Sequence, residues 1–219
     1  MPQITQIIEQ KRRPNRRNVH LDGAFAFGCN INVIAKFRLR VGMQISADEL
    51  AQIQLGAVKQ ECFDAAIRFL ESRLHSRAEL RRKLARREYG DAVLDATLDD
   101  LTRLGYVNDA RFAQTKALSA AQNKHHGKHR AMLELFKAGV AGETAHRAVE
   151  DVYDVTDSTG IARALAIKQA PRLRKLDPIV ARRRLVGMLQ RRGFDYDSIR
   201  PVIDEVLGQE ISDREHIIE

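Results

Sequence analysis

Residues 80–101, LRRKLARREYGDAVLDATLDDL, return in altered form as 131–152, AMLELFKAGVAGETAHRAVEDV, and again as 185–206, LVGMLQRRGFDYDSIRPVIDEV. With Leu84, Leu135 and Leu189 as anchors, the position five residues on holds Tyr89, Val140 or Phe194. The position ten on holds Leu94, Ala145 or Ile199. Fourteen on stand Leu98, Val149 and Ile203, and seventeen on stand Leu101, Val152 and Val206. Four before the anchor come Leu80, Ala131 and Leu185. A repeat of this length is a supersecondary unit, and tandem copies stack into an extended array. Such an array offers surface along its length rather than one deep pocket. That favours binding of macromolecules over catalysis.

Helix signals surround each copy. Ser46 with Glu49, and Ser76 with Glu79, have the spacing of a capping box, in which the serine hydroxyl accepts from a backbone N–H that lacks a helical partner. The first opens one or two helices running to about Ser72, and the second opens a helix carrying Leu80 and Leu84. A helix over 91–104 follows Gly90 and stops at Gly105, which takes the left-handed conformation without a Cβ clash. Asn108 or Asp109 caps a helix to about Asn123. Helices over 128–138 and 143–153 follow, and Asp157 or Ser158 caps one over 159–170 that Pro171 ends. Pro178 opens a helix over 179–192, at a position where its missing N–H costs nothing. Gly193 stops it, and the last helix, 196–207, ends at Gly208. Each copy is thus a lead helix, a basic middle helix and a third helix with an apolar stripe. The third copy has a longer connection around 172–178.

The first 45 residues read differently. Ile4, Gln6 and Ile8 line one face of a short strand, and Lys11 to Arg17 form a polar break. Val19-His20-Leu21 then leads into Asp22-Gly23 and Ala24-Phe25-Ala26-Phe27-Gly28. Asp-Gly between alternating segments signals a type I′ hairpin turn, because both central residues need positive φ. A small antiparallel sheet of two or three strands is predicted. It should pack on the following helix, since a lone hairpin is marginal in water. Asn30 caps a short helix through Phe37, and Gly42 closes the unit. The predicted fold class is therefore all-α, a tandem array of three three-helix repeats with a small N-terminal antiparallel β-hairpin element. The predicted divisions are 1–45, 46–107, 108–155 and 156–208, with a tail at 209–219.

Composition agrees. Aromatic residues make up only 5% and Trp is absent, so the core must be aliphatic. A net charge of +8 favours an acidic partner, nucleic acid first. The charge is uneven, with nine Lys/Arg against four Asp/Glu in residues 1–60. Cys29 and Cys62 are far apart and form no metal-type pair, which suits reduced thiols in a cytosol. No apolar run approaches the roughly 20 residues needed to cross a bilayer, and the N-terminus lacks a signal-peptide core. A cytoplasmic protein is expected.

The stretch Phe69-Leu70, Ser76-Arg77-Ala78-Glu79-Leu80 and Lys83-Leu84 is followed by Leu101-Thr102-Arg103-Leu104-Gly105-Tyr106-Val107-Asn108-Asp109-Ala110-Arg111-Phe112-Ala113. Together these resemble the RecX family of RecA regulators, whose pattern has a Ser/Arg–x–x–Glu-Leu opening, a Leu-Gly-hydrophobic turn and an acidic pair before Arg-Phe-Ala. The hairpin around Asp22-Gly23 is similar to an N-terminal extension that some members carry. The resemblance covers about 4–208 and is most specific over 63–139. Asn108 stands where many members have Asp, and Glu88-Tyr89 where Lys-Gly is more usual, so the exit from the first middle helix is expected to differ. The resemblance implies a non-enzymatic modulator that binds the RecA filament on single-stranded DNA and curbs its ATPase and strand exchange. It implies a role in recombination, repair and the SOS response, without a cofactor, and the chain is expected to act as a monomer. The alternative is a basic helical protein that binds DNA or RNA directly. An enzyme such as a nuclease would need carboxylates or histidines converging on a metal, and no such constellation is present.

The candidate surface lies on the middle helices. Two positions after each anchor stands Arg86, Lys137 or Arg191, about 200° round the helix from the core-facing leucine. Arg130 and Arg184, with Arg81, Arg82, Arg87, Arg183 and Arg192, thicken the patch. Such residues neutralise phosphates or pair with acidic side chains; the ordinary reading of each alone is a solvated helix face. Seven before the anchor stand Arg77, Lys128 and Arg182, basic too but at helix starts on the apolar side, where snorkelling stems are as good an account as binding. Arg12, Arg13, Arg16 and Arg17 form a second cluster at the hairpin loop, either solubilising or in contact with phosphates. His125, His126 and His129 have a spacing a metal could use, but Gly127 interrupts the helix. Asp91 and Asp95 sit where a helix dipole favours carboxylates. Asp99 and Asp100 invite an acid–base reading that nothing nearby supports. Tyr89, Tyr106 and Phe194 are read as helix-end contacts rather than base-stacking groups.

Overall fold

The structure, a computed structural model, describes residues 1–208; the tail read at 209–219 lies outside the described residues. The chain divides into two compact units, one spanning Met1–Val107 and one beginning at Asn108.

The first unit opens with a three-stranded antiparallel sheet, β1 (Ile4–Gln10), β2 (Arg13–Leu21) and β3 (Ala24–Asn30), in that order. Asp22 and Gly23 have φ of 49° and 86°, the paired positive values a type I′ turn requires. The polar break is shorter than expected. Only Lys11 and Arg12 form the β1–β2 turn, while Arg13, Arg16 and Arg17 belong to β2. They can do so because their charges are met within the unit: Arg17 pairs with Glu9 on β1 at 3.0 Å, and Arg16 pairs with Glu61 on the helix beneath. Asn30 caps α1 (Ile31–Lys36) through its side chain. The segment after it returns to β1, where Gly42 donates to the Ile4 carbonyl and Ile45 to that of Pro2.

The helix α2 (Ala47–Ser72) is a single rod of 26 residues, about 39 Å at 1.5 Å per residue. Ser46 and Glu49 form the capping box at its start. Its first half packs Ile53 and Ala57 against Ile4, Val19, Phe27, Cys29 and Ile45 of the sheet layer. Phe25, on the other face of β3, is exposed with an edge contact to His20. Gly56 lets the Phe37 ring lie on α2, since a Cβ there would come within 2.6 Å of it. The second half of α2 joins α3 (Arg77–Ala85) and α4 (Asp91–Arg103) as the first three-helix repeat. Its core is Cys62, Ala65, Ala66, Leu80, Leu84, Leu94, Leu98 and Leu101.

The second unit contains α5 (Asp109–Gln122), α6 (Lys128–Ala138) and α7 (Gly142–Tyr153), then α8 (Ser158–Leu173), α9 (Pro178–Arg191) and α10 (Tyr196–Leu207). All three anchors and every −4, +10, +14 and +17 position of the repeat are buried; of the +5 positions only Tyr89 is half-buried. The lead helices meet these stripes with small residues, Ala113, Ala117 and Ala121 in α5 and Ala162, Ala166 and Ala170 in α8. Pro171 does not end α8, as its sequence position suggested. It sits inside the last turn, and the helix runs on to Leu173, which packs on the third repeat's core. Burial there outweighs the lost backbone bond, and Arg174 N–H still reaches the Ala170 carbonyl at 2.9 Å.

Four residues after each anchor the backbone turns left-handed: φ is 61° at Glu88, 78° at Gly139 and 90° at Gly193. The exit from the first middle helix was expected to differ, but its backbone is left-handed as in the other two repeats, because Glu88 adopts the conformation that glycine takes there.

Candidate binding surface

The middle helices place the sequence-predicted basic residues in different settings. Arg81 is spent: it bonds Asp91 at 2.8 Å and Asp95 at 3.1 Å. The bond to Asp95, then its charge, holds the guanidinium's pKa above the ordinary value. Arg82 is exposed with its Nε on the Ala78 carbonyl, and Arg86 is exposed at the C-cap of α3. Arg87 lies over the Phe69 ring, 5.2 Å from its centroid, with Lys83 over the same ring at 4.8 Å. Arg183, Arg184 and Arg191 on α9 and Lys137 on α6 are exposed. Arg130 and Arg192 are half-buried. Arg86, Lys137 and Arg191 therefore share an outward position within their own repeats, as the spacing predicts.

The acidic residues of α4 are occupied. Asp91 and Asp95 hold Arg81, Asp99 holds Arg77 at 2.7 Å, and Asp100 holds Lys59 and Arg103. The bonds from Lys59 and Arg103 draw the Asp100 pKa below the ordinary carboxylate range.

The residues seven before each anchor do more than snorkel. Arg77 pairs with Asp99, Lys128 lies 4.0 Å from Glu150, and Arg182 pairs with Asp204 at 2.5 Å. Each acid stands fifteen after its anchor, so one ion pair recurs between the middle and third helices of every repeat. The signal was present in the sequence as a second, acidic column. For Arg182, burial opposes its charge, but the bonds to Asp204 and Tyr196 prevail and raise its pKa.

At the sheet end of the first unit, a cleft of about 1040 Å³ gathers Arg13, Arg16 and Arg87 with Arg68, Glu61 and Tyr89. Arg12 stays apart in the β1–β2 turn, exposed. Arg16 and Arg17 are largely covered and ion-paired, which differs from the flexible loop arginines expected there. Tyr106 is half exposed with its edge to Phe63, and Phe194 is buried.

In the second unit the ends of α6 and α9 touch. Gly127 N–H donates to the Arg192 carbonyl at 2.8 Å and His129 N–H to the Gly193 carbonyl at 3.1 Å. The Arg192 guanidinium reaches the Lys124 carbonyl at 3.2 Å, and the Tyr153 hydroxyl bonds the His126 carbonyl at 2.7 Å. A Cβ on Gly127 would stand 2.3 Å from the Gly193 oxygen, and one on Gly193 would stand 2.2 Å from the Arg130 nitrogen. Glu134 takes Lys124 at 2.7 Å, and His126 Nδ1 lies 3.1 Å from the same carboxylate, outside hydrogen-bonding alignment. Burial, only partly offset by Glu134, pushes the His126 pKa down. Among the described residues no group of three or more His, Cys, Asp or Glu is placed to hold a metal. Nor, among them, is any helix long and apolar enough to cross a membrane.

Comparison with known proteins agrees with this architecture. Residues 2–46 match the regulatory protein RecX N-terminal domain, 62–101 the first RecX three-helix domain, and 159–203 the third. The regulatory protein RecX of Chlorobium phaeobacteroides (strain BS1) is 37% identical over 147 residues, 67% of this chain and 94% of that protein. The chain belongs to the RecX family. The RecX of Bacillus subtilis (strain 168) is 30% identical over 217 residues, 98% of this chain and 81% of that one. A crystal structure of regulatory protein RecX superposes with a TM-score of 0.76 at 20% identity, covering 93% of this chain and all of that one. RecX from Lactobacillus salivarius gives 0.61 at 23% identity, covering 68% and 96%. At these identities the structures speak to the RecX fold alone. The sheet falls within a matched RecX region, and the two matched three-helix regions lie within the first and third repeats.

Proposed function

We propose that this chain binds the RecA filament on single-stranded DNA and curbs its ATPase and strand-exchange activity. It acts as a cytoplasmic monomer without cofactor or catalysis of its own. The N-terminal element (1–45) and the three repeats (46–107, 108–155, 156–208) serve as its working divisions. The observation that carries this reading is membership of a family of regulatory proteins, joined to an outward basic residue at the same position of every repeat. Arg86, Lys137 and Arg191 are all exposed, and a filament presents both phosphates and carboxylates to such groups. Arg82 adds to the exposed charge of the first repeat, and Arg183 and Arg184 to that of the third. The test is the ATP turnover of RecA on single-stranded DNA with and without this protein. Turnover should fall as the protein is added, and charge reversal of Arg86, Lys137 and Arg191 together should relieve the effect with helicity unchanged. Turnover that ignores the wild-type protein refutes the reading.

A further inference from the structure

We propose that the seam between the second and third repeats is a composite site for a nucleic-acid backbone, assembled by the contact of Gly127 with Gly193. The proposal deepens the filament reading by assigning the DNA strand, rather than the protein, to this face. The seam joins two basic runs distant in sequence: Lys124-His125-His126-Gly127-Lys128-His129-Arg130 and Arg191-Arg192. The backbone bonds from Gly127 and His129 to Arg192 and Gly193 hold these runs together. Arg130 and Arg192 both stand close enough to His126 to depress its protonation.

The acids beside the seam are engaged, among them Asp157, which shares a pocket with His125 and accepts from Gly160 as the N-cap of α8. Glu134 is taken by Lys124, with His126 3.1 Å away. Asp195 accepts from Ser198 as the N-cap of α10, near His129. Glu150 stands 4.0 Å from Lys128. Toward solvent the runs present Lys124, His125, Lys128, His129 and Arg191, exposed, and Arg130 and Arg192, half-buried. Neither run contains an apolar side chain. A protein partner wins affinity from apolar or aromatic anchors seated in pockets, and these runs supply none. A surface dominated by cations and imidazoles suits phosphates, whose recognition is indifferent to sequence. The site is composite because Gly127 and Gly193 are the residues that allow the two backbones to meet; a side chain at either would part the runs.

The experiment measures binding of a fluorescein-labelled oligothymidylate to the full chain by anisotropy over a range of salt, alongside RecA ATPase. Changing Lys128, His129 and Arg130 together to Ala keeps every Cβ at the seam. It should weaken oligothymidylate binding about tenfold and flatten the salt slope by about 0.7 for each phosphate no longer neutralised. Gly127→Ala removes no charge and should also weaken binding, because it separates the runs. Arg147→Ala, on α7 and outside the seam, should change affinity less than twofold. Unchanged affinity in the triple variant overturns the proposal. If oligothymidylate binding is unchanged while ATPase inhibition falls, the seam meets protein: the site is refuted and the filament reading stands. If oligothymidylate binding falls but wild-type protein never affects the ATPase, the site stands and the filament reading fails.

Discussion

Gly127→Ala tests the seam energetically, because it isolates crowding from backbone strain. Gly127 has φ −77° and ψ 169°, which alanine adopts freely. Its new Cβ would stand 2.3 Å from the Gly193 oxygen, 2.4 Å from the carbon and 2.5 Å from the Phe194 nitrogen. All three are backbone atoms, so no side chain can swing away and α6 must separate from the turn after α9. Overpacking of this kind costs about 1–3 kcal/mol. The bonds from Gly127 to Arg192 and from His129 to Gly193 break with it, at about 0.5–1.5 kcal/mol each. Less flexible alanine returns roughly 0.4–1 kcal/mol through the unfolded chain. The expected net loss is about 1–6 kcal/mol. Gly193→Ala adds a left-handed penalty at φ 90° of about 1–2 kcal/mol, so it should be worse. Gly105→Ala, at φ 78° with open space around it, carries the backbone penalty alone. Urea unfolding of the full chain gives the stabilities, and hydrogen exchange at the Gly127 and His129 amides localises the damage. A Gly127→Ala protein with wild-type stability and protected amides would refute the seam as drawn.

Three further outcomes follow from the geometry. Glu88 occupies the left-handed position that glycine fills in the other two repeats; Glu88→Gly should stabilise the first unit by about 0.5–1 kcal/mol, the 1–2 kcal/mol of relieved strain less glycine's entropy, and a lower urea midpoint would count against it. The recurring ion pair differs in burial, so Asp204→Ala, which strands a largely covered Arg182, should cost about 1–3 kcal/mol, and Asp99→Ala, on an exposed pair, less than about 1 kcal/mol; equal losses would contradict the assignment. Burial pushes the His75 and His126 pKa values below the ordinary 6.5, so the unfolded chain takes up protons first as pH falls. Their effect on stability is absent above that value and becomes a loss as pH drops from about 6.5 through the lower folded values; His126→Gln should show a shallower decline than wild type over that window.

The repeat was legible because apolar spacing needs no knowledge of partners. Leu84, Leu135 and Leu189 are fully buried, as are the residues fourteen beyond them, Leu98, Val149 and Ile203. The Ser46–Glu49 capping box, the Ser76 N-cap and the Asp22-Gly23 turn were legible for the same reason, since each is settled within four residues. What was misread depended on partners far along the chain. A run of arginines looks like a loop until Glu9 and Glu61 are seen to pair with Arg17 and Arg16. Pro171 looks like a terminator until Leu173 is seen to pack on the core beyond it. The seam was out of reach, because no periodicity says which helix end Gly193 will meet.

The same backbone position explains why the first repeat diverges and the third does not. Every middle helix must leave through a left-handed residue four after its anchor. Glycine is the usual solution, yet the penalty for another residue is only about 1–2 kcal/mol, and burial of the core around Leu84 and Leu98 can absorb it. Glu88 is exposed, so its side chain needs no room in the core and the substitution is tolerated. At Gly193 the position has a second duty. A Cβ there would collide with the Arg130 backbone, a clash no rotamer relieves, and the two basic runs would separate. Strain at the exit is therefore a cost that one repeat can carry, whereas loss of the glycine at the third exit would remove the surface on which the chain is proposed to hold its DNA strand.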